Sequence, residues 1–199
     1  LDAGVKTRAV LTNMNVPLGL AIGNANEVRE SVEVLAGAGP ADVVDLTVEL
    51  ARHMLELAGI TDVDVRENLR NGKAMDSWRA MISAQGGDPD AALPVATETH
   101  TVFADRDGIL ATQEALPFGI AAWRLGAGRA RKEDAVIHAA GIDLHAKPGD
   151  AVSAGDPLFT LSANDSARFE RALEALEGAW SIGDSAHDYG SLIAEVVTG

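Results

Sequence analysis

The residues with the most evident chemical potential lie in residues 17–30, which join a strand-like segment to a helix-like one. In open α/β sheets ligands bind at the carboxyl ends of strands, which is where this stretch begins. Gly19 and Gly23 allow the backbone to turn tightly and to expose carbonyl oxygens. Glu30 lies early in the helix, so its carboxylate can fold back toward those carbonyls. Such oxygen-only ligands suit a hard cation, in particular an alkali ion.

A simpler interpretation is an ordinary strand-to-helix turn with Glu30 solvated, and spacing alone favours it. The other polar residues form no recognisable catalytic set. The histidines are scattered, and none pairs at the helical spacing of a metal site. Neither a G-x-S-x-G nucleophile elbow nor a G-x-x-x-x-G-K-[ST] phosphate loop occurs. Cysteine is absent, which excludes a thiol nucleophile and a cysteine-based zinc site.

The chain is acidic, with 16 basic and 30 acidic residues among its 199 and a formal net charge of -14. A surface of this sign repels phosphate backbones and anionic lipids, so we expect neither nucleic-acid nor membrane partners. No apolar run approaches the roughly 20 residues needed to span a bilayer. We also expect no signal peptide and a cytoplasmic protein. The strand-like segment follows Leu1 almost at once, which suggests that a further segment precedes it.

Residues 1–93 are predicted to alternate strands and helices, and residues 94–199 to contain mainly short strands. The boundary is placed near Pro94, after the structure-breaking run G-G-D-P-D. Asn24 and Glu27 have the spacing of a capping box at the start of a helix. The strands are predicted at residues 7–12, 97–104, 108–112, 135–138 and 157–161. The further helices are predicted at residues 40–58, 62–70, 73–84, 117–125 and 167–176, and residues 181–199 fit either a strand or a terminal helix.

Residues 147–158, K-P-G-D-A-V-S-A-G-D-P-L, contain two Gly-Asp turns around a short strand. The pattern is similar to half of a biotinyl or lipoyl carrier domain, in which a modifiable lysine follows at a hairpin tip. Residues 162–165, S-A-N-D, contain no lysine. A carrier function is therefore disfavoured, whereas a β-sandwich shape remains compatible with the pattern.

Residues 9–19, A-V-L-T-N-M-N-V-P-L-G, and residues 23–30, G-N-A-N-E-V-R-E, resemble the signature of the thymidine and pyrimidine-nucleoside phosphorylases. The family form is close to T-D-M-x-x-P-L-G followed by G-N-x-x-E-V-x-E. The second region is also similar to the family's C-terminal domain, at Gly126-Ala127-Gly128-Arg129, Ala140-Gly141-Ile142 and Gly149-Asp150. The similarity spans residues 5–183. Asn13 is a departure, because the family commonly has Asp there.

The resemblance implies an α/β fold class, in which residues 1–93 form the C-terminal part of an α/β domain. Residues 94–199 would form an α+β, barrel-sandwich-like C-terminal domain. The implied activity is phosphorolysis of thymidine or uridine to the free base and (deoxy)ribose 1-phosphate. The family's catalytic residues lie upstream of the signature, so we assign none here and expect this chain to be an inactive fragment. The implied partners are a pyrimidine nucleoside, inorganic phosphate and a second copy in a homodimer, with no organic cofactor.

The resemblance also implies a potassium ion. In the bacterial enzymes the ion is held partly by carbonyls of P-L-G-x-A and partly by the second Glu of E-V-x-E, which correspond here to Leu18, Ala21 and Glu30. Its remaining ligands belong to the upstream half. The implied role is structural, because the ion would tie the loop to the phosphate-binding region and preorganise the site. The family match therefore favours the cation over the solvated turn.

Two other functions stay open on the sequence. One is a non-enzymatic, β-rich binding or carrier-like module, which the missing lysine and the P-L-G…E-V-x-E signature disfavour. The other is a phosphoribosyltransferase, whose fold shares the helical plus α/β plan. The β-rich region at residues 97–161 favours the nucleoside phosphorylases, because an added domain of that kind is expected of them.

Overall fold

A computed structural model describes residues 4–129 and 131–198, which form six α-helices, one π-helical turn and nine β-strands. In chain order the elements are β1 (Arg8–Thr12), β2 (Ala21–Gly23), α1 (Ala25–Leu35), α2 (Ala41–Leu57), α3 (Val65–Arg70), α4 (Lys73–Ala84), β3 (Glu98–Phe103), β4 (Gly108–Gln113), α5 (Ala115–Ala122), the π-helical turn (Trp123–Ala127), β5 (Gly141–Leu144), β6 (Ala151–Val152), β7 (Pro157–Ala163), α6 (Arg168–Ala175), β8 (Trp180–Gly183) and β9 (Ile193–Thr198). They pack into two units. Unit 1 contains residues 4–13, 31–91 and 190–198, and unit 2 contains Met14–Glu30 and Ala92–Tyr189.

Unit 1 combines a two-stranded antiparallel sheet with α2, α3 and α4. In the sheet, β1 pairs with β9 so that Ala9 lies opposite Val197. The short helix α3 begins at Asp64, whose carboxylate accepts a hydrogen bond from the Glu67 N–H at 3.1 Å. Such a cap satisfies one of the backbone donors that a helix start leaves unpaired. Gly72 then turns the chain into α4 with a φ of 83°, a left-handed conformation that favours glycine.

Unit 2 contains two antiparallel sheets, with strand orders β2-β5-β7-β3 and β6-β4-β8. Both sheets and the helices α5 and α6 contribute to one hydrophobic core. Its largest fully buried apolar side chains are Phe118, Phe159, Leu110, Leu125, Ile142, Leu158 and Leu161. The Phe159 ring meets those of Phe118 and Trp180 edge to face, with centroids 5.1 and 6.0 Å apart. Three aromatic rings thus meet inside this core, where edge-to-face pairs add to the energy gained from burial.

The mixed helix-and-sheet class predicted from the sequence is confirmed, and the predicted helices occur close to their expected positions. Residues 181–199, which fit either a strand or a helix, contain the end of β8 and the strand β9. The short strands β2 and β5 were not predicted. The division of the sequence between residues 93 and 94 stays a prediction. Among the described residues, none of the helices combines the length and the apolar character that crossing a bilayer requires.

The strand predicted at residues 135–138 is wrong. The Ile137 N–H donates to the Gly126 carbonyl at 2.9 Å, and the His138 carbonyl accepts from the Ala25 N–H at 3.0 Å. These backbone groups therefore bond to a helical turn and to a helix start, and not to a neighbouring strand. The apolar, β-branched composition of the segment is explained by packing, since Ile137 lies against the core of unit 2.

We expect Phe159→Ala to lower the free energy of unfolding by about 3–5 kcal/mol, because it opens a cavity at a position that is 1% exposed. Phe103→Ala is the matched control, since Phe103 is 54% exposed, and it should cost about 1 kcal/mol or less. Urea unfolding followed by tryptophan fluorescence measures both variants. Equal losses for the two would contradict this assignment of the core.

Candidate functional site

The segment between β1 and α1 is held near its end by two carboxylates of α1. Glu30 Oε1 accepts a hydrogen bond from the Leu20 N–H, with an N···O distance of 2.7 Å. Glu27 Oε1 accepts one from the Gly23 N–H, also at 2.7 Å. Bonds in which the acceptor is ionised are stronger than neutral ones. Glu30 thus folds back onto the loop, while its role as a metal ligand stays a prediction.

A lysine from a distant part of the sequence binds the same loop. Lys147 Nζ donates to the carbonyl oxygens of Pro17 at 2.7 Å and Gly19 at 3.0 Å. The Lys147 N–H donates to the Asp150 carboxylate at 2.8 Å, in the first of the two Gly-Asp turns. The turn therefore fixes the backbone of the lysine, and the loop carbonyls fix its ammonium group. The sequence analysis missed this contact, because no spacing rule relates positions so far apart.

The carbonyls of Leu20 and Ala21 point in opposite directions. The Leu20 carbonyl accepts from the Leu144 N–H at 2.7 Å, so Ala21, opposite Asp143, occupies the next position of the ladder. Hydrogen-bonded and non-bonded pairs alternate in antiparallel sheets, so the Ala21 carbonyl points away from β5, toward the outer edge of β2. In the part of the chain that the structure describes, the Leu18 carbonyl accepts no hydrogen bond.

The oxygens at the loop fit an alkali ion better than a divalent metal. Two backbone carbonyls and one carboxylate are hard ligands. Among residues 4–129 and 131–198, no cluster of three or more His, Asp or Glu side chains is suited to a metal. Lys147 already places one positive charge on this loop, and the repulsion between two cations grows with their charges. Of the two classes of ion, a monovalent one fits these oxygens better, and its binding by Leu18, Ala21 and Glu30 stays a prediction.

A buried asparagine fixes β2 and the start of α1 to β5. Asn26 is 8% exposed, and its Nδ2 donates to the Ile142 carbonyl at 3.1 Å. A Cβ atom at Gly23 would lie 2.6 Å from Asn26 Oδ1, and one at Gly141 would lie 2.8 Å from Asn26 Nδ2. Both positions therefore require glycine for this close approach. Sequence reasoning missed Asn26, although its place in the G-N-A-N run was a usable signal.

The capping box predicted for Asn24 and Glu27 does not form in its usual arrangement. Asn24 Nδ2 donates to the Ala127 carbonyl at 2.6 Å, which joins the start of α1 to the π-helical turn. Glu27 bonds the N–H of Gly23 and not that of Asn24. The two side chains therefore connect α1 to its surroundings, whereas a capping box satisfies only the helix itself.

The beginning of the loop is attached to α5. The Ala115 N–H donates to the Asn15 carbonyl at 2.8 Å. Beside it, the Tyr189 hydroxyl donates to Glu114 Oε1 at 2.8 Å and accepts from the Gln113 N–H at 3.1 Å. Burial raises the pKa of Tyr189 above its ordinary value of 10.0, so the phenol stays protonated and can donate at physiological pH.

Residues 109–183 match the family model of the pyrimidine nucleoside phosphorylase C-terminal domain. The thymidine phosphorylase of Mycobacterium tuberculosis (strain ATCC 25618 / H37Rv) is 50% identical over 192 residues, covering 96% of this chain and 45% of that protein. The chain matches the C-terminal portion of the thymidine and pyrimidine-nucleoside phosphorylase family, as the loop signature predicts.

Two other phosphorylases are also similar to most of this chain. The pyrimidine-nucleoside phosphorylase of Bacillus subtilis (strain 168) is 40% identical over 174 residues, covering 82% of this chain and 40% of that protein. The pyrimidine-nucleoside phosphorylase of Geobacillus stearothermophilus is 37% identical over 172 residues, covering 81% and 40%. The chain therefore spans less than half the length of these curated relatives.

We expect Lys147→Met to loosen the loop without unfolding unit 2. Hydrogen bonds to charged groups contribute about 1.5–3 kcal/mol each, so the loop should open at least about tenfold more often. Limited chymotrypsin digestion measures this as faster cleavage after Leu18 and Leu20. Lys132→Met is the control, since Lys132 is exposed on another loop. Equal cleavage rates in the two variants would show that the ammonium group does not hold the loop.

Proposed function

We propose that this chain is the C-terminal portion of an enzyme that cleaves pyrimidine nucleosides with inorganic phosphate. The products are the free base and (deoxy)ribose 1-phosphate. The observation that carries the proposal is the 50% identity to a thymidine phosphorylase over 96% of the chain. The relatives named pyrimidine-nucleoside phosphorylase support the same substrate class. We assign no catalytic residue to this chain, so the isolated chain is inactive under this proposal.

We infer that the chain's contribution to the reaction is a preorganised loop. Lys147 and Glu30 hold the loop from two sides through charge-assisted hydrogen bonds. A loop held in this way needs little reorganisation when substrate binds, which is a recognised source of rate. The carbonyls of Leu18 and Ala21, with the Glu30 carboxylate, are the proposed ligands of a potassium ion. When bound, that ion supplies a fixed positive charge and links the loop to the remaining ligands.

Four finer properties are part of the proposal. Residues 94–199 have a barrel-sandwich-like shape, for which the two antiparallel sheets of unit 2 give support. The intact enzyme is cytoplasmic and homodimeric, with no organic cofactor. A carrier-like role is disfavoured, because residues 162–165, S-A-N-D, at the end of β7 contain no lysine that could be modified.

The intact enzyme should release thymine or uracil from its nucleoside only when phosphate is present, because phosphate is the nucleophile. Chromatography of the base, with and without phosphate, measures this. The isolated 199-residue chain is the control, and we expect no turnover from it. Release without phosphate would contradict the reaction class, and turnover by the isolated chain would contradict the absence of catalytic groups.

Glu30→Gln should raise the potassium concentration that half-activates the intact enzyme by on the order of tenfold, because a charged ligand becomes neutral. The measurement is a potassium titration in which sodium keeps the ionic strength constant. Glu33→Gln is the control, since Glu33 is exposed on the same helix. An identical potassium response in Glu30→Gln and Glu33→Gln would remove the proposed site.

A further inference from the structure

Asn71 is the only one of the seven asparagines in the sequence that a glycine follows. The main-chain nitrogen of the residue after an asparagine can attack the side-chain amide carbon and close a succinimide ring. A Cβ atom on that residue crowds the approach, and glycine has none. The composition of the pair Asn71-Gly72 therefore favours this ring closure.

The fold leaves this pair open to solvent and free to rotate. Asn71 is exposed between the end of α3 and the start of α4. A Cβ atom built at Gly72 would meet no heavy atom within 4 Å beyond its chain neighbours. Among residues 4–129 and 131–198, no acceptor binds the Gly72 N–H. The attacking nitrogen can therefore turn toward the side chain without breaking a hydrogen bond of its own.

The Asn71 side chain is already folded toward the peptide group that would attack it. Its Oδ1 accepts a hydrogen bond from the Lys73 N–H at 3.2 Å, across Gly72. This Asx turn keeps the amide near residues 72 and 73. A donor at a carbonyl oxygen also stabilises the negative charge that develops there during attack, as in an oxyanion hole. The turn therefore combines proximity with activation of the amide carbon.

The pair Asp107-Gly108 has a composition that allows the same ring, but the fold holds it in place. Asp107 Oδ1 accepts from the Ala154 N–H at 2.8 Å, and Gly108 lies opposite Val152 in the β4–β6 ladder. A Cβ atom at Gly108 would lie 2.6 Å from Ile182 Cγ2, so this peptide has little room to rotate. The pair between α3 and α4 is therefore the one that the fold leaves reactive.

We propose that Asn71 deamidates spontaneously in the folded chain. The Gly72 nitrogen gives its proton to water and bonds to Asn71 Cγ, the Cγ–Nδ2 bond breaks, and ammonia leaves after taking a proton from water. Water then opens the ring at either of its two carbonyls, which yields aspartate or isoaspartate. The net reaction consumes one water and releases one ammonia, and nothing is oxidised or reduced. It does not depend on the proposed phosphorolysis.

The products change the corner between α3 and α4 in charge and in length. Either product adds one negative charge close to the N-terminus of α4, where the helix dipole stabilises it. Isoaspartate also routes the main chain through the side chain and so lengthens it by one methylene group. That group lies two residues after Leu69, which is 8% exposed and one of the buried side chains of unit 1. The modified chain is therefore more acidic, and its isoaspartate form has a displaced α3–α4 corner.

Peptide mapping of the full 199-residue chain tests the proposal. The folded chain is incubated in a mildly alkaline buffer, beside a second sample that is unfolded in urea. Trypsin cleaves after Arg70 and thus separates Asn68 from Asn71, and mass spectrometry detects replacement of the amide NH₂ by OH. Electron-transfer fragmentation distinguishes isoaspartate from aspartate. We expect Asn71 to convert to both products in both samples, while Asn68 and Asn164 stay unchanged in the folded one.

Conversion of Asn71 in the unfolded sample alone would overturn the proposal, because the fold would then protect the amide. The absence of conversion at Asn71 would also overturn it, as would equal conversion at Asn68 or Asn164 in the folded chain.

Two variants connect the change in charge to this position. Asn71→Ser keeps a side-chain oxygen that can accept from the Lys73 N–H, but it has no amide to lose. On isoelectric focusing it should lose the acidic band that the unaltered chain gains with time, a shift of one charge from the formal -14. Asn68→Ser is the matched control, since Asn68 lies on α3 and precedes a leucine, and it should keep the band.

Equal gain of the acidic band by folded Asn71→Ser and Asn68→Ser would overturn the proposal. Circular dichroism checks that each variant folds. The mapping of the unaltered chain needs no substitution, so it decides the question if a variant does not fold.

Discussion

Lys147 and Glu30, two side chains of opposite charge, bond to the backbone of residues 17–20. The conformation of this loop depends on that pair of interactions. Residues 17–20 lie outside helices and strands, so their backbone polar groups need partners from elsewhere. Lys147 supplies a donor to two carbonyls, and Glu30 supplies an acceptor for one N–H. The Leu18 carbonyl is not among the groups that these two side chains bind. Its role as a ligand of a cation, with Ala21 and Glu30, stays a prediction.

The two units differ in how far they can stabilise themselves. Unit 2 closes its core around Phe118 and Phe159, and its loop is attached to α5, to β5 and to the Lys147 ammonium group. Unit 1 has helices and strands of ordinary length but hardly any interior. A loop built on unit 2 can therefore be rigid without support from unit 1.

Features set by neighbouring residues could be predicted from the sequence, whereas contacts between distant residues could not. Glycine and proline signals located nearly all the helices, because helix starts and ends depend on short-range effects. Glu30 bonds the Leu20 N–H of its loop, while its role as a metal ligand stays a prediction. Composition misled at residues 135–138, where β-branched residues pack against the core without pairing. Lys147 and Asn26 could not be assigned, since their partners are set by the register of β2 and β5. The family resemblance, which depends on an ordered motif and not on geometry, was confirmed.

Amide hydrogen exchange at Leu20, measured by NMR on this chain, tests the central claim most directly. Leu20 is 38% exposed and lies outside any helix or strand, so only the bond from its N–H to Glu30 Oε1 gives it protection. We expect exchange at least about 100-fold slower than in an unstructured peptide, since a charged hydrogen bond contributes about 1.5–3 kcal/mol and the surrounding loop adds to it. Exchange at the unstructured rate would show that Glu30 does not hold the loop.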